Sequence, residues 1–154
     1  MTPLLAIRIQ SEPFDAAAEI EALSRLGEDV GAVTSFTGFC RSEGGRLAAL
    51  ELEHYPGMAE EEIASVVTEA STRWPLFGAT VIHRHGKMVP GDGIVLVVTA
   101  SSHRTASFDA ANFIMDYLKT RAPFWKKEHR ADGTSGDWVD AKSVDDALAE
   151  RWKA

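Results

Sequence analysis

Residues Leu4 to Gln10 alternate apolar and polar side chains, with Leu5, Ile7 and Ile9 on one face, which is the period of a half-buried strand. From Asp15 to Leu26 the period changes: Ala17, Ile20, Leu23 and Leu26 trace a helical face, and Gly27 offers a stop. "GAVTSFTGFCR" from Gly31 is β-branched and aromatic and predicts a strand running into a bend at Gly38. After "SEGGR", "LAALELEHY" alternates again, with Leu50, Leu52 and His54 opposite Glu51, Glu53 and Tyr55, and is expected to pair with the strand before it. "PGMAEEEIASVVTEASTRW" predicts a helix. Ile63, Val66, Val67, Ala70 and Trp74 recur at its i, i+3, i+4 spacing, glutamates fill the first turn, and Pro75 ends it.

"ATVIHRHG" and "GIVLVVTA" predict two further strands separated by the loop "KMVPGD", and the second, apolar throughout, is expected to be central. A helix capped by Ser101 or Ser102 then runs to about Arg121, burying Ala106, Ala110, Phe113, Ile114, Tyr117 and Leu118, until Pro123 stops it. The tail predicts a short extended piece in "DWVDAK" and a last helix from Ser143. The order β-α-β-β-α-β-β-α-(β)-α gives an α/β (α+β) fold, a mixed, partly antiparallel sheet packed with helices. With 154 residues and neither repeat nor linker, residues 1–154 are expected to form a single domain.

Charge narrows the chemistry. Sixteen Lys and Arg against 23 Asp and Glu give a net charge of -7, which argues against nucleic acid as a partner and makes any anion site local. The one cysteine, Cys40, has no partner for an internal disulfide and no zinc-type spacing around it, so a reducing cytoplasm is the expected compartment. The start "MTPLLAIRIQSE" lacks a leader pattern, and no apolar run approaches the ~18 residues that span a bilayer, so neither export nor a membrane is expected.

Against that acidic background, "MDYLKTRAPFWKKE" (residues 115–128) gathers Lys119, Arg121, Lys126 and Lys127 around Tyr117, Phe124 and Trp125. Cations in the last turn of a helix complement its dipole, which is one sufficient reason for them. The other reading is an anion site at a Pro-Phe-Trp corner, where crowding of like charges favours a neutral amine that can act as nucleophile or base. Lys119 suits that role and Lys126 suits anion binding. His103 and Arg104 fall just after a central strand at a helix start, a usual ligand position in α/β folds, and Arg41 follows the Gly38 bend. His83 and His85 share a strand face and, with His103, are the material of a metal-dependent hydrolase. No Cys or carboxylate pattern accompanies them, so no metal and no cofactor is expected.

Several pieces together resemble the MoaE family, the catalytic large subunits of molybdopterin synthase: "GAVTSFTGFCR", "LELEHYPGMAEEEI", "RWPL", "VIHRHGKMVPGD", "SSHR" and "FIMDYLKTRAPFWKKE", in the family's order. The resemblance implies that family's α/β hammerhead fold. It also implies an enzyme that converts cyclic pyranopterin monophosphate to molybdopterin, in molybdenum cofactor biosynthesis, with sulfur from the thiocarboxylated Gly-Gly tail of a small ubiquitin-like subunit. A homodimer within a heterotetramer is implied as well. Carried over, Lys119 and Lys126 are the essential lysines, Arg41, His103 and Arg104 bind substrate anions, the last two across the dimer, and Lys127 and Glu128 lie in the substrate-contacting segment. Phe39 stands where the family commonly has a lysine, so contact at Phe39 and Cys40 is expected through backbone. The alternative is a non-catalytic module that binds a phosphorylated pterin or nucleotide.

Overall fold

The structure, a computed structural model, describes residues 2–139 and 149–153. Its elements run β1 (Leu4–Gln10), α1 (Ala16–Ser24), β2 (Ala32–Phe39), β3 (Leu47–His54), α2 (Met58–Arg73), β4 (Gly78–Arg84), β5 (Gly86–Met88), β6 (Gly93–Ser101), α3 (Arg104–Arg121) and β7 (Phe124–Arg130). Two sheets form in place of the one expected. The first has the order β1-β4-β6-β2 and is mixed, with β1 parallel to β4 and the other pairs antiparallel. The second, β5-β3-β7, is antiparallel.

Burial on both sides explains why β6 is apolar without a break from Ile94 to Val98. Val95 and Val97 join Val81 from β4, Ile63, Val66 and Val67 from α2, and Phe113 and Ile114 from α3 in the larger core. Leu96 and Val98 point the other way, onto Leu23 of α1 with Ile82. Such strands lose the alternation that half-exposed ones keep. A third cluster, Cys40, Leu47, Leu52 and Met88, fills the small sheet.

The expected pairing of β2 with β3 is wrong. β2 lies along β6, from Ala32 opposite Ser101 to Phe39 opposite Gly93, and the register shifts between Gly38 and Phe39. The chain then leaves the first sheet, and β3 finds β5 on one side and β7 on the other. Adjacency in sequence lost to pairing with the edge of β6 that β4 leaves open.

Smaller corrections follow the same logic. "ATVIHRHG" breaks at His85, and Gly86, at a φ of 96° that side chains rarely adopt, turns the chain into β5 where a plain loop was expected. Helix α3 starts at Arg104 with His103 as its N-cap, because Ser101 is still strand and gives its hydroxyl to the Pro75 carbonyl, 2.7 Å away. Ala106 is half-buried and the other five predicted positions of α3 are buried. In α1 the Asp15 side chain accepts from the Ala18 amide at 3.1 Å, so the helix begins at Ala16, and Ala16 packs inward while Ala17 is exposed. The Pro-Phe-Trp corner is instead the start of a full strand, β7.

The helix expected from Ser143 falls largely on 143–148, outside the described residues. Beyond them Ala149 is buried, and Trp152 sits edge-on to Trp74 and Phe113, with its Nε1 donating to Asp116 at 2.6 Å. The predicted extended piece is present at Val139, which exchanges both backbone hydrogen bonds with Lys126. No helix among the described residues is long and apolar enough to cross a membrane.

Candidate active site

The return path of α3 positions the chemistry. Strand β6 climbs to Ser101, and α3 then comes back across the same sheet for 18 residues. Its last turn therefore arrives where β6 began, beside the end of β4, at the point where His83 pairs with Val95. Pro123 ends the helix and β7 immediately starts its ladder with β3, setting Lys126 opposite Leu52 and Phe124 opposite His54.

Between the two sheets and the end of α3 lies a cavity of about 170 Å³. Leu50, Leu52, Ile94, Val95, Met115 and Leu118 give it apolar walls. Lys119 and Lys126 bring it two cations, with Gly38 and Phe39 on one side and His83, Phe124 and Trp125 on another. Lys119 is exposed and Lys126 half-buried. Two ammonium groups over an apolar cleft favour an anion with a narrow, uncharged stem: the walls hold the stem and the cations hold its end.

The predicted site residues divide. Lys119, Lys126 and Phe39 line the cavity; Arg41, His103 and Arg104 do not. Arg104 opens α3, so roughly 22 Å of helix axis at 1.5 Å per residue separates it from Lys119. The predicted site residues therefore do not all meet within one chain. Arg41 extends into solvent, 3.9 Å from Glu43. Glu43 also binds Arg46, and Arg46 reaches both Glu128 oxygens at 3.2 Å, so Glu128 closes a surface ion network. The hydrogen bonds from Arg46 hold its carboxyl below the ordinary carboxylate range. Alternation along β7 turns Lys127 away from Lys126, with its Nζ 5.7 Å from the centre of the Trp138 ring.

Cys40 is buried against the Met88 carbonyl, and burial pushes its thiol pKa up, which makes it inert packing. Its amide donates to Asp92 and its carbonyl accepts from Gly91, so backbone contact with a ligand at Cys40 competes with the turn it braces.

The histidines form a cluster that the metal reading did not foresee. His54 and His85 rings lie 4.7 Å apart, His83 stacks on Phe124, and His54 Nδ1 is buried with no partner among the described residues. His103 stands at the far end of α3. Among the described residues no group of three or more His, Cys, Asp or Glu side chains is placed to hold a metal. Sequence reasoning missed His83 and Met115 as cavity residues. The alternation that sets His83 on the same face as Val81 was visible, but the packing of the end of α3 over that face was not.

A model of the "MoaE protein" family matches residues 9–121. A molybdopterin synthase catalytic subunit from Mesorhizobium japonicum is 64% identical over 156 residues, covering 100% of this chain and 98% of its own. Among solved structures, the molybdopterin biosynthesis MoaE protein from Burkholderia ambifaria superposes with a TM-score of 0.85 at 46% identity, covering 98% of this chain and 99% of its own. Molybdopterin synthase from Staphylococcus aureus does so at 0.77 and 32% identity, over 86% and 95%. By the family match, the identity to the Mesorhizobium japonicum subunit and the superposition on the Burkholderia ambifaria protein, the chain belongs to the MoaE family of molybdopterin synthase catalytic subunits.

Proposed function

We propose that this chain is a sulfur-transferring enzyme, the catalytic subunit of a molybdopterin synthase, acting as one domain in the cytoplasm. It converts cyclic pyranopterin monophosphate to molybdopterin with two sulfurs, each brought as a thiocarboxylate on the C-terminal Gly-Gly tail of a small ubiquitin-like subunit. The observation that carries this reading is the shared cavity of Lys119 and Lys126. An extended diglycine has no side chains to clash with the Leu50, Leu52 and Val95 walls, and its terminal anion meets the lysines at the end. Lys119 acts there as nucleophile or base, and Lys126 stabilises charge on the reacting group.

The separation of Arg104 from Lys119 supports a homodimer in which His103 and Arg104 of one copy complete the other copy's site. An edge for the second copy exists: β2 borders its sheet, and Phe36, Phe39 and Phe108 are 43%, 58% and 60% exposed. Exposed aromatic side chains on an unpaired strand edge, with Phe108 of α3 adding a third, favour a protein contact.

The test is to incubate the purified chain with cyclic pyranopterin monophosphate and a thiocarboxylated small subunit and to measure dithiolene formation. Product carrying two sulfurs per pterin is expected. Absence of product while both ligands bind would replace this reading with the binding-module alternative.

A further inference from the structure

The cavity wall beside Lys119 is an imidazole to which nothing so far gives a task. His83 leaves β4 on the face of Ala79 and Val81, but stands where the core opens into the cavity. Its Nδ1 lies 2.9 Å from the Arg84 carbonyl oxygen. A carbonyl can only accept, so Nδ1 carries the proton and Nε2 presents a lone pair. The ring stacks on Phe124 with centroids 3.8 Å apart and planes 18° from parallel. Phe124 opens β7 two residues before Lys126. One side chain thus touches the strand that carries one lysine and shares a cavity with the other.

The groups acting on this ring electrostatically are Lys119 from α3, His54 from β3 and His85 after β4, and Lys126 faces the same cavity from β7. All four are cations or become so on protonation. Burial, reinforced by Lys119, lowers the His83 pKa to about 4, although the Arg84 carbonyl opposes the shift. The ring therefore stays uncharged at neutral pH.

An uncharged acceptor differs from a carboxylate in a way that matters here. It can take a hydrogen bond from an ammonium group without neutralising it, so the lysine keeps its charge for an incoming anion. We propose that His83 is a positioning residue of the sulfur-transfer site, bracing the Phe124–Lys126 segment by stacking and offering an uncharged Nε2 acceptor beside Lys119. The inference rests on the sulfur-transfer reading of the cavity.

The experiment compares the full-length wild type with His83→Phe, which keeps a ring to stack but has no acceptor, and His83→Gln, which keeps a polar group but cannot titrate. Each is assayed for turnover from about pH 3.5 to 8, a range that brackets the depressed pKa of the ring, and for binding of the thiocarboxylated small subunit. His83→Phe is expected to bind the subunit while kcat falls roughly 10- to 100-fold, the loss that follows a small misplacement of reacting groups. His83→Gln is expected to retain more activity and to move the acid limb of the pH profile, which a merely structural residue would leave in place. An active wild type with either variant matching it in both kcat and pH profile overturns the inference. So does a loss in both variants that disappears once activity is expressed per folded molecule. An inactive wild type that binds both ligands defeats the sulfur-transfer reading itself, and the role of His83 falls with it.

Discussion

Two adjacent lysines on β7 have unlike surroundings, and the difference is testable. Lys126 lines the cavity, whereas Lys127 reaches across the other face of the strand to Trp138. Lys126→Ala is predicted to lower kcat/KM by at least ~100-fold, the scale of losing a group that stabilises charge in the reaction. Lys127→Ala should cost less than about tenfold, since its charge acts only through screened solvent. Equal losses would show that the segment, and not the cavity-facing lysine, is what substrate recognises. A side-by-side steady-state assay separates the two outcomes. At this scale the lysine pair was legible in the sequence, because "MDYLKTRAPFWKKE" is an improbable concentration of cations in an acidic chain. The stacking of His83 on Phe124 was not, since it joins residues 41 positions apart through a strand end and a helix return.

The elements depend on close backbone approaches that their glycines permit. At Gly31, where the chain enters β2 and its amide bonds to the Ser101 carbonyl at 3.0 Å, an added Cβ would lie 2.1 Å from the Ser102 carbonyl oxygen. Backbone cannot yield there without prising β2 from β6. Gly31→Ala is predicted to destabilise the fold by about 2 kcal/mol or more, measured by urea unfolding, with the loss expressed as a lower midpoint at constant slope. An unchanged midpoint would mean that β2 tolerates displacement at its start. Strand β1 and helix α2 were readable because each buries a face whose period shows in the residue order, and β6 because its unbroken apolar run marks a strand buried on both sides. β7 was not, for "FWKKEHR" has no apolar alternation and every one of its side chains but Trp125 is half-buried. Its strand conformation comes from β3 and from the Val139 bridge, which are tertiary partners.

For the whole molecule, the half-buried imidazole of His83 predicts acid sensitivity. The folded-state pKa of His83 is depressed, so as pH falls the unfolded chain takes up this proton first. The stability concerned is fully present above the ordinary histidine value of ~6.5 and is lost progressively as pH drops towards 4, reaching about 3 kcal/mol at most. Glu128 and Asp132, both held low by hydrogen bonds, add a loss of the same sign further into acid. Urea unfolding at pH 7.0 and 4.5 should therefore show a larger fall for wild type than for His83→Gln; equal falls would place the titrating groups elsewhere. Fold class and family were legible over most of the chain. The division into two sheets was not, because the pairing of β2 with β6 is a tertiary choice that its own eight residues do not announce.

The claim that unites these scales is that Lys119 performs chemistry at the end of an apolar cleft and does little for stability. The most direct measurement is dithiolene formation from cyclic pyranopterin monophosphate and a thiocarboxylated small subunit, with wild type and Lys119→Ala run together at equal protein concentration and their Tm values recorded alongside. Wild type should form product, while Lys119→Ala binds the small subunit normally, melts within about 0.5 kcal/mol of wild type and loses turnover by at least ~100-fold. Undiminished turnover in Lys119→Ala, or a loss explained by a large fall in Tm, would contradict the account.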